Sequence, residues 1–492
     1  MTGNNRQPRL FIFGWDAADW AVIEAGWKEG RLEHLRALAD RGQSGTAMST
    51  IPPITPPAFT SFLTGADPGE HGIFGFVTRG EGYQYLPVPG GARKVPTLIR
   101  RLDHAGYRTA LVTFPFTYPA EPLLHGLVVP GWDDPEETLD SVHPAEAGRD
   151  LAQVVDRVPR RVQMKGLPDH EILAHMREAN EIKERIVRWA VDRVDPHVFA
   201  TVFSETDHAS HKWWVEGDPP SQLIEVYDLV DQSMGRLIGD LVTEDDTVLM
   251  VSDHGSWPVH HLMHLAPLLA DGGFLARGRG PSEDGSAGSF ERVRMGRGVG
   301  DRDKRMIRLF ARMDWANTKA FPLGDYVIGT GIYVNRPPFP IPAVSPDEYE
   351  DVRTGVIELL KDVPDPASGR PALGTMARRE DVYRGSAISD APDLVVDGIP
   401  GILPRLGRVL NFGEVFTEVV VGGHRQEGVF VASQDLGLRA QEPIEGLLPK
   451  VLSALSFELS DRVTGDGQLS EGYTAEQAQE IARHLQNLGY ME

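Results

Sequence analysis

Short apolar runs rich in Val, Ile and Phe alternate along this chain with longer stretches whose apolar positions recur at helical spacing. That alternation predicts strands joined through helices, and therefore a mostly parallel sheet covered on both faces. Strands are expected at Leu10 to Trp15, Thr109 to Thr113, Val198 to Ser204, Thr247 to Ser252, Leu394 to Val396 and Gly428 to Ala432. Leu223, Val226, Val230, Met234, Leu237 and Leu241 share one helical face just before the Thr247 run, a core face with no chemistry on it. Near the end, Thr474 to Gln477 (TAEQ) reads as a capping box opening a last amphipathic helix.

Two stretches interrupt the alternation. Residues 133–195 begin charged and Pro-containing and lead into a helix expected from Glu171 to Val194, a helical insertion or cap. Residues 265–320 hold a Gly-, Ser- and Arg-rich excursion that begins at Gly278, expected as a flexible surface loop more than as a substrate lid. The chain as a whole, 1–492, reads as one catalytic domain carrying both.

Composition narrows the function. A length of 492 residues at 41% hydrophobic supports a large core. With 49 Lys+Arg against 71 Asp+Glu the formal charge is -22, which repels duplex nucleic acid and anionic membrane surfaces. No cysteine is present, which excludes disulfides, thiolate metal sites and a cysteine nucleophile and leaves Asp, Glu and His to hold any metal. The polar start lacks a secretory pattern, no run reaches membrane-spanning length, and a cytoplasmic location is expected. The oligomeric state is not legible.

Three expected strands end in an aspartate: Asp16 in GWD, Asp207 in FSETD and Asp253 in VSDHG. Ligands of open α/β sheets gather at the carboxyl ends of strands, so these three carboxylates are expected to converge. His211 follows Asp207 at i,i+4 spacing and His254 follows Asp253 directly. His424 and Arg425 stand after Gly422 and Gly423, read as a glycine-bearing loop before a strand. Carboxylate with imidazole suits zinc or manganese. Thr55, directly before Pro56 and Pro57, is expected at a helix N-terminus, where a threonine either caps the helix or presents its hydroxyl to a phosphate.

Taken in this order, GWD, the run from Thr55 to Ile73 (TPPAFTSFLTGADPGEHGI), DHASH, SDHG and GGHR resemble the alkaline phosphatase superfamily, in particular its type I phosphodiesterase/nucleotide pyrophosphatase branch. The resemblance implies a three-layer α/β/α sandwich with two divalent metal ions, usually zinc with manganese as the alternative. It implies one ion on Asp207, His211 and His424, and the other on Asp16, Asp253 and His254 with Thr55 at the same ion. Thr55 would be the nucleophile, forming a phospho-threonine that water hydrolyses, on a small-molecule phosphate ester or nucleotide. His71 and Gly72 match a structural turn of the family.

One position departs from the pattern. Nucleotide pyrophosphatases carry an asparagine three residues after the nucleophile, and here Ala58 stands there. Arg425 and Lys212 are candidates to replace its donor toward a phosphate oxygen. Phosphomonoester or phosphonate hydrolysis, phosphomutase transfer and a non-catalytic metal-binding scaffold are therefore the competing functions. Asp19, His208, His260, His261 and His264 suit a polar cleft lining, and Trp213, Trp214 and Trp257 suit either packing or nucleobase stacking.

Overall fold

The computed structural model describes residues 9–278, 313–323, 331–405 and 413–461, apart from a few positions between 81 and 165, together with scattered residues from 463 to 481. Its main sheet has eight strands in the spatial order Gln441–Pro443, Gln43–Met48, Glu427–Ala432, Thr247–Val251, Leu10–Trp15, Val198–Phe203, Thr109–Phe114, Leu127–Pro130. Glu427–Ala432 runs antiparallel to both neighbours, and every other pairing in this sheet is parallel.

The apolar runs are continuous because both faces of the sheet are covered. Along Leu10–Trp15, Phe11, Phe13 and Trp15 enter one core, and Leu10 and Ile12 enter the other. The first core is closed by the expected face of the Ser221–Leu241 helix, through Leu223, Val226, Val230, Met234 and Leu237. The helix Asp169–Val194 joins it through Ile172, Met176, Ile186 and Val187, and so forms part of that helical wall. The second core holds Phe59 and Phe62 of the helix Thr55–Thr64 and Leu447, Leu448 and Val451 of Ile444–Ala454. Each such side chain buried contributes roughly 1.5–3 kcal/mol of transfer free energy before entropy is counted. The result is the three-layer α/β/α sandwich, with a mostly parallel central sheet.

One expected strand belongs elsewhere. Leu394–Gly398 lies not in the main sheet but in a separate four-stranded antiparallel sheet with Ala320–Leu323, Gly331–Val334 and Leu373–Arg378. A short apolar run records burial, and this satellite has its own core, including Leu265, Leu269, Trp315, Val356 and Leu394. The glycine- and arginine-rich stretch falls mostly on residues 279–312, outside the described residues.

A third, three-stranded sheet matters most for the site. The strand Gly255–His264, which starts immediately after His254, pairs antiparallel with Phe416–Arg425 and parallel with Ile402–Arg405. Its register sets His424 opposite Ser256 and Arg425 opposite Gly255. At the far end of the chain the Thr474 hydroxyl accepts the Gln477 N–H, and the Gln477 side chain accepts the Thr474 N–H, as a capping box requires. Among the described residues no helix is long and apolar enough to cross a membrane.

Candidate active site

Three adjacent parallel strands, Thr247–Val251, Leu10–Trp15 and Val198–Phe203, deliver Asp253, Asp16 and Asp207 to one edge of the sheet. All three carboxylates are at most 2% exposed. Asp16 is locked from both ends, its N–H donating to Phe203 O at 3.0 Å and its carbonyl accepting the Thr206 hydroxyl at 2.5 Å. The chain then turns through Ala17 in the left-handed region, φ 56, and the Ala17 N–H reaches Asp253 Oδ1 at 3.3 Å. A left-handed alanine costs roughly 1 kcal/mol, and here it aims a backbone donor into the site.

The histidines close around these acids. Asp207 lies in the first turn of the helix Glu205–Trp213, so His211 stands one turn on, with Nε2 at 3.3 Å from Asp207 Oδ1. His424 Nε2 lies 3.2 Å from the same oxygen, and the two Nε2 atoms are 2.8 Å apart. The His254 ring stacks on His424 at 3.9 Å, and its Nε2 lies 3.2 Å from Asp253 Oδ2 and 3.7 Å from Asp16 Oδ1. Every one of these rings turns Nδ1 to a backbone carbonyl: His211 to Gly422 O, His424 to Pro53 O and His254 to Gly255 O. A carbonyl only accepts, so Nδ1 carries a proton and Nε2 faces inward, where it can hold a second proton beside Asp207 or offer its lone pair to a cation.

The GGHR segment is strand, not the expected loop, since Gly422 to Arg425 end the strand Phe416–Arg425. The glycines serve contact between elements: a Cβ on Gly422 would lie 2.1 Å from Ser210 O, and one on Gly423 would lie 2.5 Å from Val259. The bare backbone lets this strand touch the His211 helix.

Thr55 is the first residue of its helix and is 1% exposed, and Ile54 occupies the cap position. Its hydroxyl is therefore not spent on capping. Instead Thr55 Oγ1 lies 3.4 Å from His254 Nε2.

Three buried carboxylates this close cannot all be charged without compensation. Burial, then Asp253 and Asp207, push Asp16 well above the usual carboxylate range, and burial with Asp207 raises Asp253 to about 8. Burial also opposes charge on Asp207, but His211 and His424 outweigh it and hold that carboxyl low. Burial lowers His254 and His424, whereas at His211 the pull of Asp207 overcomes burial and raises the ring. Asp16 Oδ1 and Asp253 Oδ2 are buried with no hydrogen-bond partner among the described residues.

Among the described residues two groups of donor atoms could each hold an ion: Asp207 with His211 and His424, and Asp16 with Asp207 and His254. Asp207 thus touches both groups, and Asp253 flanks the second through His254. A cavity of about 20 Å³ borders His211 and His424, roughly the room one water or ion occupies. Inward lone pairs, orphaned carboxylate oxygens and a nitrogen–oxygen donor set fit a divalent cation. A far larger cavity, about 1300 Å³, is lined by Glu184, Arg236 and other charged residues and by none of these groups.

The proposed phosphate contacts are less convergent. Arg425 donates from Nε and Nη2 to Asp19 at 2.6 and 2.8 Å, so its fork is engaged by a fully buried carboxylate. The exposed Lys212 lies 3.9 Å from Asp169 Oδ1, on the solvent side of its helix. Ala58 is buried. Trp213 and Trp214 pack in the first core rather than lining the acids, and His264 bonds Thr417. His71 accepts the Ile73 N–H at Nδ1 and meets Ser61 Oγ at 2.9 Å, a buried turn element.

Sequence reasoning missed the supports. The Tyr227 hydroxyl accepts the Asp19 N–H and donates to Ala17 O beneath the Asp16 turn. The Lys183 ammonium, itself buried, pairs with Glu205 Oε2 at 3.0 Å and donates to Val202 O behind the acids. Tyr227 sits among the helical core positions, and a lysine in the long helix gives no sequence signal of burial.

The fold is alkaline phosphatase-like. The model of the type I phosphodiesterase / nucleotide pyrophosphatase family matches residues 10–406, and the chain belongs to that family. Among solved structures it is similar to phosphonoacetate hydrolase from Sinorhizobium meliloti 1021 in complex with phosphonoacetate, at 14% identity and TM-score 0.57, covering 91% of this chain and 96% of that one. It is also similar to wild-type alkaline phosphatase PafA, at 14% identity and TM-score 0.54, covering 92% and 96%. Human ectonucleotide pyrophosphatase / phosphodiesterase 5 aligns at 11% identity and TM-score 0.51, covering 92% and 95%. These likenesses concern the fold. No curated protein matches the chain in sequence. Family and fold indicate a phosphoester hydrolase of this superfamily.

Proposed function

We propose that the protein hydrolyses phosphate esters in the phosphodiesterase/nucleotide pyrophosphatase manner, with Thr55 as nucleophile. The observation that carries this reading is the uncapped Thr55 hydroxyl, buried at the head of its helix and 3.4 Å from His254 Nε2. Asp207, His211 and His424 would hold one divalent ion, and Asp16, Asp253 and His254 the other, zinc first and manganese as the alternative. Bound there, the ions would lower the pKa of the Thr55 hydroxyl and offset charge on the phosphoryl group.

The chain's own part is positional. Thr55 Oγ gives up its proton and attacks phosphorus in line as the bond to the leaving oxygen breaks. The leaving oxygen takes up a proton and departs as an alcohol or nucleotide, and the phospho-threonine keeps the second ester group until water releases it as a phosphomonoester. Water then attacks that phosphorus and returns the threonine hydroxyl. The helix N-terminus favours the anionic phosphoryl group next to Thr55.

Ala58 in place of an asparagine donor favours keeping a second reading, phosphomonoester or phosphonate hydrolysis on the same residues. The test is turnover of a chromogenic diester and a monoester of the same phenol by the zinc-loaded protein and by Thr55→Ala. A diester preference that disappears in Thr55→Ala with metals retained supports the proposal. A monoester preference moves it to the second reading, and activity surviving in Thr55→Ala overturns the nucleophile.

A further inference from the structure

The chain is strongly acidic at -22, yet three guanidinium groups line a single cavity of about 230 Å³ beside the satellite sheet: Arg79, Arg336 and Arg379. None of the acids and histidines of the candidate active site borders it.

Each arginine is held in place by something other than a simple one-to-one ion pair. Arg379, 8% exposed, donates through Nη1 to Ser389 O at 3.2 Å and Ala391 O at 3.0 Å, lies 3.4 Å from Asp393 Oδ1, and has Nε 3.6 Å from Glu380 Oε1, a carboxylate outside the cavity lining that also pairs with Arg353. Arg336 stacks over Tyr349 at 4.2 Å and lies 3.7 Å from the same Asp393 oxygen. Asp393 is itself committed, accepting the Val334 N–H at 2.8 Å and the Tyr349 hydroxyl at 2.6 Å. Arg79 lies over the Phe339 ring at 5.3 Å, and among the described residues no carboxylate pairs with it. The other acid at the cavity, Asp390, is paired with Lys94. Three arginines against two acids leave the lining of the cavity positive, since Asp393 is shared by Arg336 and Arg379, Asp390 is paired with Lys94, and Arg79 has no carboxylate among the described residues.

We propose that this cavity is a second anion site, which binds inorganic phosphate or the dianion of a phosphomonoester. Guanidinium forks match phosphate oxygens in pairs, and three forks offer more donors than the two oxygens of a carboxylate accept. The volume is below the ~300 Å³ at which pockets for drug-sized ligands begin, which selects a compact anion. The aromatic faces under Arg79 and Arg336 keep those side chains ordered without neutralising them.

The test is isothermal titration calorimetry of inorganic phosphate, and separately phenyl phosphate, into the full-length zinc-loaded protein in a Thr55→Ala background, where no turnover intervenes. Two binding events are expected, one abolished by His211→Ala/His424→Ala and the other by Arg79→Ala/Arg336→Ala. Should the double arginine variant fail to fold, Arg79→Ala alone carries the test, with melting temperature as the folding control. It should weaken the second event about tenfold, as loss of one charged hydrogen bond does, and Arg79→Lys should recover part of that. Equal affinity for the two ligands assigns free phosphate to the site, and tighter binding of phenyl phosphate assigns an ester. A single binding event that the arginine variants leave unchanged overturns the proposal.

Discussion

His211 Nε2 lies 2.8 Å from His424 Nε2 while each ring's Nδ1 faces a backbone carbonyl. Two inward lone pairs at that distance repel unless a cation or proton sits between them. Adding zinc or manganese to chelated protein should therefore raise its melting temperature, by the equivalent of about 4 kcal/mol at a thousandfold excess over Kd. In His424→Ala the metal content by mass spectrometry should fall by at least one ion per chain. A melting temperature indifferent to both metals would remove them from the site.

Gly422 tests whether strand and helix must touch. In Gly422→Ala the new methyl would meet Ser210 O at 2.1 Å, and the strand must shift away from the His211 helix. Unfolding in urea should show a loss of roughly 1–3 kcal/mol, with weakened metal binding alongside it. Unchanged stability and metal affinity would mean that the contact yields without cost.

Asp19 and Arg425 give a third expectation. Asp19 is fully buried and accepts from Arg425, Ala21 and Ser256. Removing one partner of such a pair typically costs about 3–5 kcal/mol. Asp19→Ala should approach that loss by chemical denaturation, and Asp19→Ala/Arg425→Met should regain part of it. A loss below about 1 kcal/mol would leave Arg425 available for substrate rather than for structure.

Acid sensitivity is the fourth. Burial pushes the His71 ring down to about 3, against an ordinary value of 6.5. Between those values the unfolded chain binds a proton that the folded protein refuses. Stability is thus full above pH 6.5 and falls by about 1.4 kcal/mol per pH unit below it, toward pH 3. His71→Gln, which cannot titrate, should show an acid limb shallower by one proton in pH-dependent urea melts. Parallel limbs for the two proteins would assign the acid response to other groups.

The sandwich and most of its strands were legible in the chain because burial on both faces writes a continuous apolar run, as in Leu10–Trp15. Leu394 was legible as a strand but not as part of the satellite sheet, since a run of three apolar residues carries no partner information. Asp16, Asp207, His211, Asp253, His254 and His424 stood out by residue type and order, and they do meet at one sheet edge. What the sequence hid was burial of charge: Lys183 against Glu205 and Asp19 against Arg425 look like solvated residues until the fold encloses them. Reading GGHR as a loop failed because glycine marks close approach in a strand as readily as a turn.

The pairing of Ser256 with His424 joins positions far apart in the chain. A ribosome must therefore add the whole satellite sheet before His424, the last of the site's histidines, emerges. The strand Glu427–Ala432, wedged between Gln43–Met48 and Thr247–Val251, is translated later still. A nascent chain halted before Phe416–Arg425 therefore lacks His424, and the acids and histidines gathered earlier wait for a strand made more than 150 residues after His254.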